Sequence, residues 1–318
     1  MKPNAAIKSP ARPVTRAPFV DSTPLLLDPA ALRRRAAEDG YLFFKRFLPA
    51  DHVMELRAAI LAVTDRYGWR ASGQDRFGGR LNRAVTDKIP DEEIGTWGTG
   101  DACYREVQKL RAFHQFPHHP RLLALYRTLL QEDVLVHART IARMIVPHPA
   151  NFPTPPHQDY PYVQGSASTW TCWTPLGDCP RALGGLSVLR GSHRAGHLPV
   201  EPTKGAVRFG VKLCPWETEW MEGDYAAGDI LTFNSLVVHK ALRAEDREHL
   251  RLSLDVRYQA MSEPVEQGSL RPHLPDLTWK EVYAQWAEND ELKYYWRKLP
   301  LKFRPWDEVC LHPKRRIC

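Results

Sequence analysis

The chain has no apolar run approaching the roughly 20 residues that a membrane-spanning helix needs, which argues against an integral membrane protein. No secretory leader is expected either, since residues 1–20 carry Lys2, Lys8, Arg12 and Arg16 but no apolar stretch of signal length. No C-x-x-C pair occurs among Cys103, Cys172, Cys179, Cys214, Cys310 and Cys318, so neither a zinc knuckle nor a thioredoxin-like dithiol is indicated. Six cysteines in 318 residues without an export signal are expected to be reduced thiols of a cytoplasmic protein. No internal repeat is visible. Lys+Arg 44 against Asp+Glu 37 leaves a net charge of +7, but the basic residues are spread. The two clusters, Arg33-Arg34-Arg35 and Lys314-Arg315-Arg316, read as a solvated helix face and a terminal tail, so nucleic acid is not the expected partner.

What is present is an ordinary globular composition, 43% hydrophobic and 25% charged, with ample length for a core. Residues 1–20, with Pro3, Pro10, Pro13 and Pro18, read as a flexible arm. A first helix is punctuated by Asp28 as N-cap, Pro29 at its first position and Gly40 at its end. The strand 41–47 follows, then a helix from about Asp51 to Tyr67 with Val53, Leu56, Ile60 and Val63 on one face. Residues 72–100 are polar and glycine-rich and read as a surface loop or lid. Residues 120–130 form a short amphipathic helix. From 134 to 258 the texture becomes short strands: 134–146, 169–176, 186–189, 230–233, 236–239 and 251–258, separated by glycine-containing turns. Helices followed by many strands predict a mainly β barrel or sandwich braced by helices. Residues 278–297 return to helix, opened by a capping box of Thr278 and Glu281.

The chemistry begins at His157-Gln158-Asp159. Residues two apart on an extended chain project to the same side, so His157 and Asp159 are able to hold one ion. An isolated H-x-D is weak, since a chain with 13 histidines meets it by chance. What adds weight is the order of residues downstream. Gly228-Asp229 turns into the buried run 230–233, and a second apolar run delivers His239. Two histidines and one carboxylate are the ligand set of the facial triad that leaves open positions on Fe(II). Twelve residues on, Arg251 opens a strictly alternating strand. Arg251, Ser253, Asp255 and Arg257 share one face and Leu252, Leu254, Val256 and Tyr258 the other. The arginine face is either a solvated exterior or an inward polar face where a guanidinium forks onto a dicarboxylate.

These stretches, with WTCWTPL at 170–176, LGGLSVLRGSHRAG at 183–196, AGDILTF at 227–233 and LVVHK at 236–240, resemble the phytanoyl-CoA dioxygenase-like branch of the Fe(II)/2-oxoglutarate oxygenases over roughly Tyr41 to Tyr258. The resemblance implies a double-stranded β-helix, a jelly-roll or cupin-like barrel with helices outside. It divides the chain into the arm 1–20, the oxygenase domain 21–262 and a C-terminal helical extension 263–318 on the same domain. It implies His157, Asp159 and His239 as iron ligands and Arg251 as the grip on 2-oxoglutarate. Trp173 and Met144 would be pocket walls, and Gln158 would add a hydrogen bond. The implied reaction is oxidative decarboxylation of 2-oxoglutarate to succinate and CO2, consuming O2, with ascorbate as reductant. The carboxylate at Asp159, which halogenating relatives replace, argues for hydroxylation or desaturation. One departure is Ala241, where some relatives carry a hydroxyl that helps to hold the cosubstrate.

Beyond that set, Arg257 is a candidate for an anionic substrate group or for a structural ion pair, and Tyr160 and Trp170 are candidates for the substrate cavity or for plain core. His114, His118, His119, His193 and His197 are read as loop and turn residues. The expected partner is a small organic molecule or secondary metabolite. The competing reading is a non-catalytic ligand-binding barrel of the same fold.

Overall fold

The computed structural model describes residues 14–205, 207–213 and 219–312. Cys214, Cys318 and the cluster Lys314-Arg315-Arg316 lie outside the described residues, as do the first thirteen of the predicted arm. The strands in chain order are β1 (Thr15–Ala17), β2 (Tyr41–Phe44), β3 (Val134–Val136), β4 (Ile141–Ile145), β5 (Trp170–Pro175), β6 (Leu186–Leu189), β7 (Val200–Pro202), β8 (Phe209–Val211), β9 (Glu219–Met221), β10 (Ile230–Asn234), β11 (His239–Ala241) and β12 (Arg251–Ala260). One sheet runs β2-β10-β5-β12-β3, with β4 also paired to β12; a second runs β1-β9-β6-β11, and β7-β8 form a separate pair. This is the double-stranded β-helix expected from the sequence.

Period-two alternation decides which side chains meet. On β12, Leu252, Leu254, Val256 and Tyr258 join the large core, together with Cys172 of β5 and Met144 of β4. That core is closed from outside by helices α1 (Pro29–Asp39) and α2 (Ala50–Arg66) and by the helix Pro120–Leu130. Tyr126 of the last helix stacks on Tyr258 with ring centroids 3.9 Å apart, and its hydroxyl bonds Thr232 Oγ1 at 2.7 Å. The opposite face of the same sheet meets the smaller sheet through Tyr41, Phe43, Trp173, Leu231 and Phe233 against Val188 and Met221. Helix α1 starts and stops where the sequence predicts. Asp28 Oδ1 accepts from the Ala31 N–H at 2.9 Å, and Gly40 ends the helix at φ 76°. A side chain at Gly40 would also meet the His193 ring.

Several elements differ from the expectation. The end of the arm is ordered: β1 pairs with β9, and Phe19 stacks on Phe43 at 4.9 Å. The predicted strand 134–146 is two strands, because the chain leaves the sheet at 137–140. Residues 236–238 turn, and the strand begins only at His239. Residues 72–100 contain a helical turn, Arg83–Thr86, and a 3-10 turn, Asp91–Glu93. The C-terminal region is not one helix. The capping box forms, but Trp279–Val282 is a single turn, and Tyr294 adopts φ 51° before the 3-10 turn Tyr295–Lys298. The aromatic side chains explain the break. Trp279 Nε1 donates to Leu270 O, Trp286 Nε1 to Lys109 O and the Tyr295 hydroxyl to Val136 O, three acceptors on different elements.

Leu254, fully buried between two strands, is a direct gauge of this core. Leu254→Ala is expected to cost about 3 kcal/mol, read as a lower urea midpoint. Acid should destabilise the fold as well. Burial pushes the His114 and His137 imidazoles down to about 4 from the ordinary value of 6.5. The unfolded chain takes up these protons near pH 6.5 and the folded chain only near pH 4. Stability should therefore be level above pH 6.5 and fall between 6.5 and 4, by up to about 1.4 kcal/mol per pH unit for each imidazole. Denaturant melts across that range check the sign.

Candidate metal centre

His157 and His239 form an isolated antiparallel bridge, each N–H donating to the other's carbonyl at 3.0 and 2.9 Å. The bridge sets the two rings 4.1 Å apart, centroid to centroid. Asp159 stands at the start of the helical turn Tyr160–Val163, but its carboxylate does not cap that turn. Instead Oδ1 lies 3.8 Å from His157 Nε2 and 3.7 Å from His239 Nε2. One ligand atom from each residue falls within 4.8 Å of the others, and all three residues are buried.

Each side chain is tied at its other end. His157 Nδ1 lies 2.9 Å from Pro155 O and His239 Nδ1 3.1 Å from Val237 O. A carbonyl only accepts, so both Nδ1 atoms carry the proton and both Nε2 lone pairs are free. Asp159 Oδ2 accepts from Thr171 Oγ1 at 2.5 Å and from Arg257 Nη2 at 3.2 Å, leaving Oδ1 toward the imidazoles. Burial, and then the neighbouring His239, push His157 down to about 3, and burial lowers His239 too. For Asp159 burial opposes ionisation. Arg257, the two histidines and the Thr171 hydrogen bond outweigh it and hold the carboxyl well below its usual range. Two neutral imidazoles and one carboxylate are thus ready near pH 7. Phe233 lies against the His239 ring at 4.4 Å and packs it from one side.

The three ligands open into a cavity of about 440 Å3. The inward face of β12 supplies part of its wall, with Arg251, Asp255 and Arg257 lining it, so the arginine face is not a solvated exterior. Arg251 is 5% exposed. Its Nη1 donates to Gly184 O at 2.6 Å, and its Nε is buried without a partner. Gly184 comes this close because it takes φ 79° and because a Cβ there would sit 2.7 Å from Leu242 O. Trp173 also lines the cavity.

Other predicted residues fall elsewhere. Met144 is fully buried on the far side of β4, while its neighbours Arg143 and Ile145 line the cavity. Trp170 faces the helix-covered core for the same reason, one residue away from Thr171. Gln158 turns from the ligands: its Nε2 donates to Gly196 O and Leu236 O and its Oε1 accepts from Leu198 N–H, clamping three segments. Tyr160 does not line the cavity and lies against the His197 ring at 5.7 Å. Arg257 pairs with Asp159, and Asp255 pairs instead with Arg143, Nε to Oδ2 at 2.8 Å. Only Thr96 of the predicted lid reaches the cavity, whose mouth is made by residues 147–154 and 241–249. His114, read as a loop residue, lies in the short helix Arg111–Gln115, while His118 and His193 lie in 3-10 turns; 157, 159 and 239 form the one metal-competent group among the described residues.

The sequence reading missed Thr171, Arg143 and Ser253, whose buried Oγ lacks a partner on the same inward face as Arg251. The signal for Arg143 was available, as the one charge inside the apolar strand IARMI. Thr171 and Ser253 had none, because a hydroxyl in a strand is compatible with either face.

A sequence model described as phytanoyl-CoA dioxygenase matches residues 36–245. Two 1-deoxypentalenic acid 11-beta-hydroxylases, from Streptomyces arenae and Streptomyces exfoliatus, are 27% identical over 268 and 273 residues. The alignments cover 80% and 81% of this chain and 89% and 90% of theirs. Among solved structures, the epimerase SnoN in complex with Fe3+, alpha ketoglutarate and nogalamycin RO superposes with a TM-score of 0.53 at 21% identity. That match covers 75% of this chain and 87% of SnoN. The non-heme monooxygenase ThoJ gives 0.50 at 19% identity, over 73% of this chain and 78% of its own. At these identities the structural likeness bears on the fold alone.

The two hydrogen bonds on Asp159 Oδ2 generate a test. Thr171→Val removes one of them without adding volume, and about 10-fold weaker Fe(II) binding is expected. Anaerobic titration beside the wild type measures it; unchanged affinity would show that Arg257 alone suffices.

Proposed function

The chain belongs to the phytanoyl-CoA dioxygenase family, and we propose that it is an Fe(II)/2-oxoglutarate-dependent dioxygenase that hydroxylates a small organic molecule through His157, Asp159, His239 and Arg251. The observation that carries this reading is three free donors converging on one point, with a buried, part-satisfied guanidinium in the same cavity. The donor set suits ferrous iron: two imidazoles and one carboxylate would hold the ion and would leave it able to take a chelating keto acid and O2. The 1-deoxypentalenic acid hydroxylases, which match along most of their length, favour hydroxylation of a secondary metabolite.

The residues divide the work. His157 and His239 offer Nε2, each kept in the right tautomer by a backbone carbonyl behind it. Asp159 offers Oδ1 while Thr171 and Arg257 hold Oδ2. Arg251, which lines the cavity and has no acidic partner, would hold the distal carboxylate of 2-oxoglutarate. Trp173, almost fully buried, closes the wall next to that carboxylate. When bound, the iron supplies O2 activation coupled to decarboxylation of 2-oxoglutarate, so that O2 and 2-oxoglutarate yield succinate, CO2 and a hydroxyl on the substrate carbon. In this reading residues 21–262 are the oxygenase domain and 263–318 an extension, supported by Trp286 and Trp296 packing into the barrel's outer core.

His157→Ala should weaken Fe(II) binding at least 10- to 100-fold. Arg251→Ala should raise the Kd for 2-oxoglutarate by about 100-fold, since it strips a buried charge of its partner. Wild-type protein with Fe(II), 2-oxoglutarate and ascorbate should release succinate. Iron and cosubstrate affinities that survive both substitutions would refute the reading.

A further inference from the structure

Five arginines and three aspartates line the cavity among the described residues, with no lysine or glutamate. With the imidazoles counted as neutral, the lining carries a charge of +2. On the reading above, a ferrous ion and the 2-oxoglutarate dianion cancel each other, so +2 remains when both are bound. Arg243 and Arg247 are exposed to solvent, so the shielded part of the lining, Arg143, Arg251 and Arg257 against Asp159 and Asp255, carries +1; uncompensated charge there is costly, and the matching anion has to come from the remaining ligand, the substrate.

The arginines are not equivalent. Arg257 is committed to Asp159, and Arg251 is assigned to the cosubstrate. Arg143 is different. Its side chain is 16% exposed and locked, Nε on Asp255 Oδ2 at 2.8 Å and Nη1 on Thr96 O at 2.7 Å. That leaves Nη2 with no protein acceptor among the described residues, on a side chain that lines the cavity. Arg243 and Arg247 stand at the mouth, exposed, with no ion pair among the described residues. Part of the remaining wall is apolar. Ile145, Val146, Leu183, Leu186 and Leu242 line it, and Phe152, 52% exposed, forms a lip.

We infer that the substrate is an amphiphilic carboxylic acid, its apolar body against these side chains and its carboxylate on Arg143, with Arg243 and Arg247 drawing the anion toward the mouth. A carboxylate matches the site because one fixed guanidinium edge offers one charge-assisted contact. A volume of about 440 Å3 takes a compact acid rather than a long conjugate. The inference rests on the function proposed above and adds the substrate class.

The test uses protein loaded anaerobically with Fe(II) and 2-oxoglutarate and a panel of apolar carboxylic acids of ten to twenty carbons, each beside its methyl ester. Calorimetric titration reads binding. Acids that bind should do so at least about 10-fold more tightly than their esters, which keep the shape and lose the charge. In Arg143→Gln that ratio should fall below about three-fold. Because R143Q leaves Asp255 buried without its partner, the double variant R143Q/D255N removes both charges together and should show the same loss of selectivity. Esters that bind as well as acids, a panel in which no acid binds at millimolar concentration, or selectivity retained in both variants would overturn the inference. A parallel loss of 2-oxoglutarate affinity in R143Q would assign Arg143 to the cosubstrate and overturn it as well. Wild-type protein that fails to bind 2-oxoglutarate at all would strike the function itself; intact cosubstrate binding with no preference for acids would strike only the substrate class.

Discussion

Two reciprocal backbone hydrogen bonds between His157 and His239 are the constraint on which the centre depends. They join the loop after β4 to the first residue of β11, so two imidazoles separated by 82 residues of chain are held as a pair by main-chain atoms. Side chains on a loop alone would lose rotamer freedom to reach this geometry; here the backbone has already set it. The remaining freedom is removed behind each ring by the carbonyls of Pro155 and Val237. Asp159 then follows from the chain itself, two residues beyond His157, with Thr171 and Arg257 fixing which oxygen faces the imidazoles.

The inward face of β12 is the second element of the design. A strand buried on both faces normally carries apolar residues on both. This one carries Arg251, Asp255 and Arg257 toward the cavity. Each charge except that of Arg251 is answered by a protein partner: Arg257 by Asp159, and Asp255 by Arg143 from the next strand. Asp159 thus serves the ligand set and also neutralises one of the buried arginines. The exception marks where a ligand carboxylate fits, because Arg251 meets only the neutral carbonyl of Gly184 and no acid in the protein answers its charge.

Apolar burial positions this polar face. Leu252, Leu254, Val256 and Tyr258 lock β12 into the outer core, and a register slip of one residue would send them into the cavity and the arginines into the core. The helices and the aromatic C-terminal segment therefore act on the site from a distance by fixing that register. Trp286 and Tyr295, bonded to main-chain carbonyls at 109 and 136, tie the segment to the elements around the core.

Much of this was legible in the residues. Capping at Asp28 and Gly40, the amphipathic α2 and the alternation of β12 are local patterns, and local patterns depend only on neighbours in the chain. The ligand triplet and Arg251 were legible through spacing and resemblance to a family. Met144, expected as a pocket wall, Gln158, expected to bond beside the ligands, and Trp170 and Tyr160, left open between cavity and core, all fall outside the cavity for one reason. Each lies within two residues of a cavity residue, and the face a side chain takes depends on where the strand or turn begins. That start is set by pairing with distant strands. The break of the C-terminal helix was hidden likewise, because its aromatic N–H and O–H groups find acceptors on elements far away in sequence. The sequence by itself determined the inventory of donors, their order and the elements that carry them, since propensity and periodicity act over a few residues. Only the tertiary structure decided which oxygen of Asp159 is free, which arginine lacks an acid and what lines the mouth, because those depend on contacts between segments tens to hundreds of residues apart.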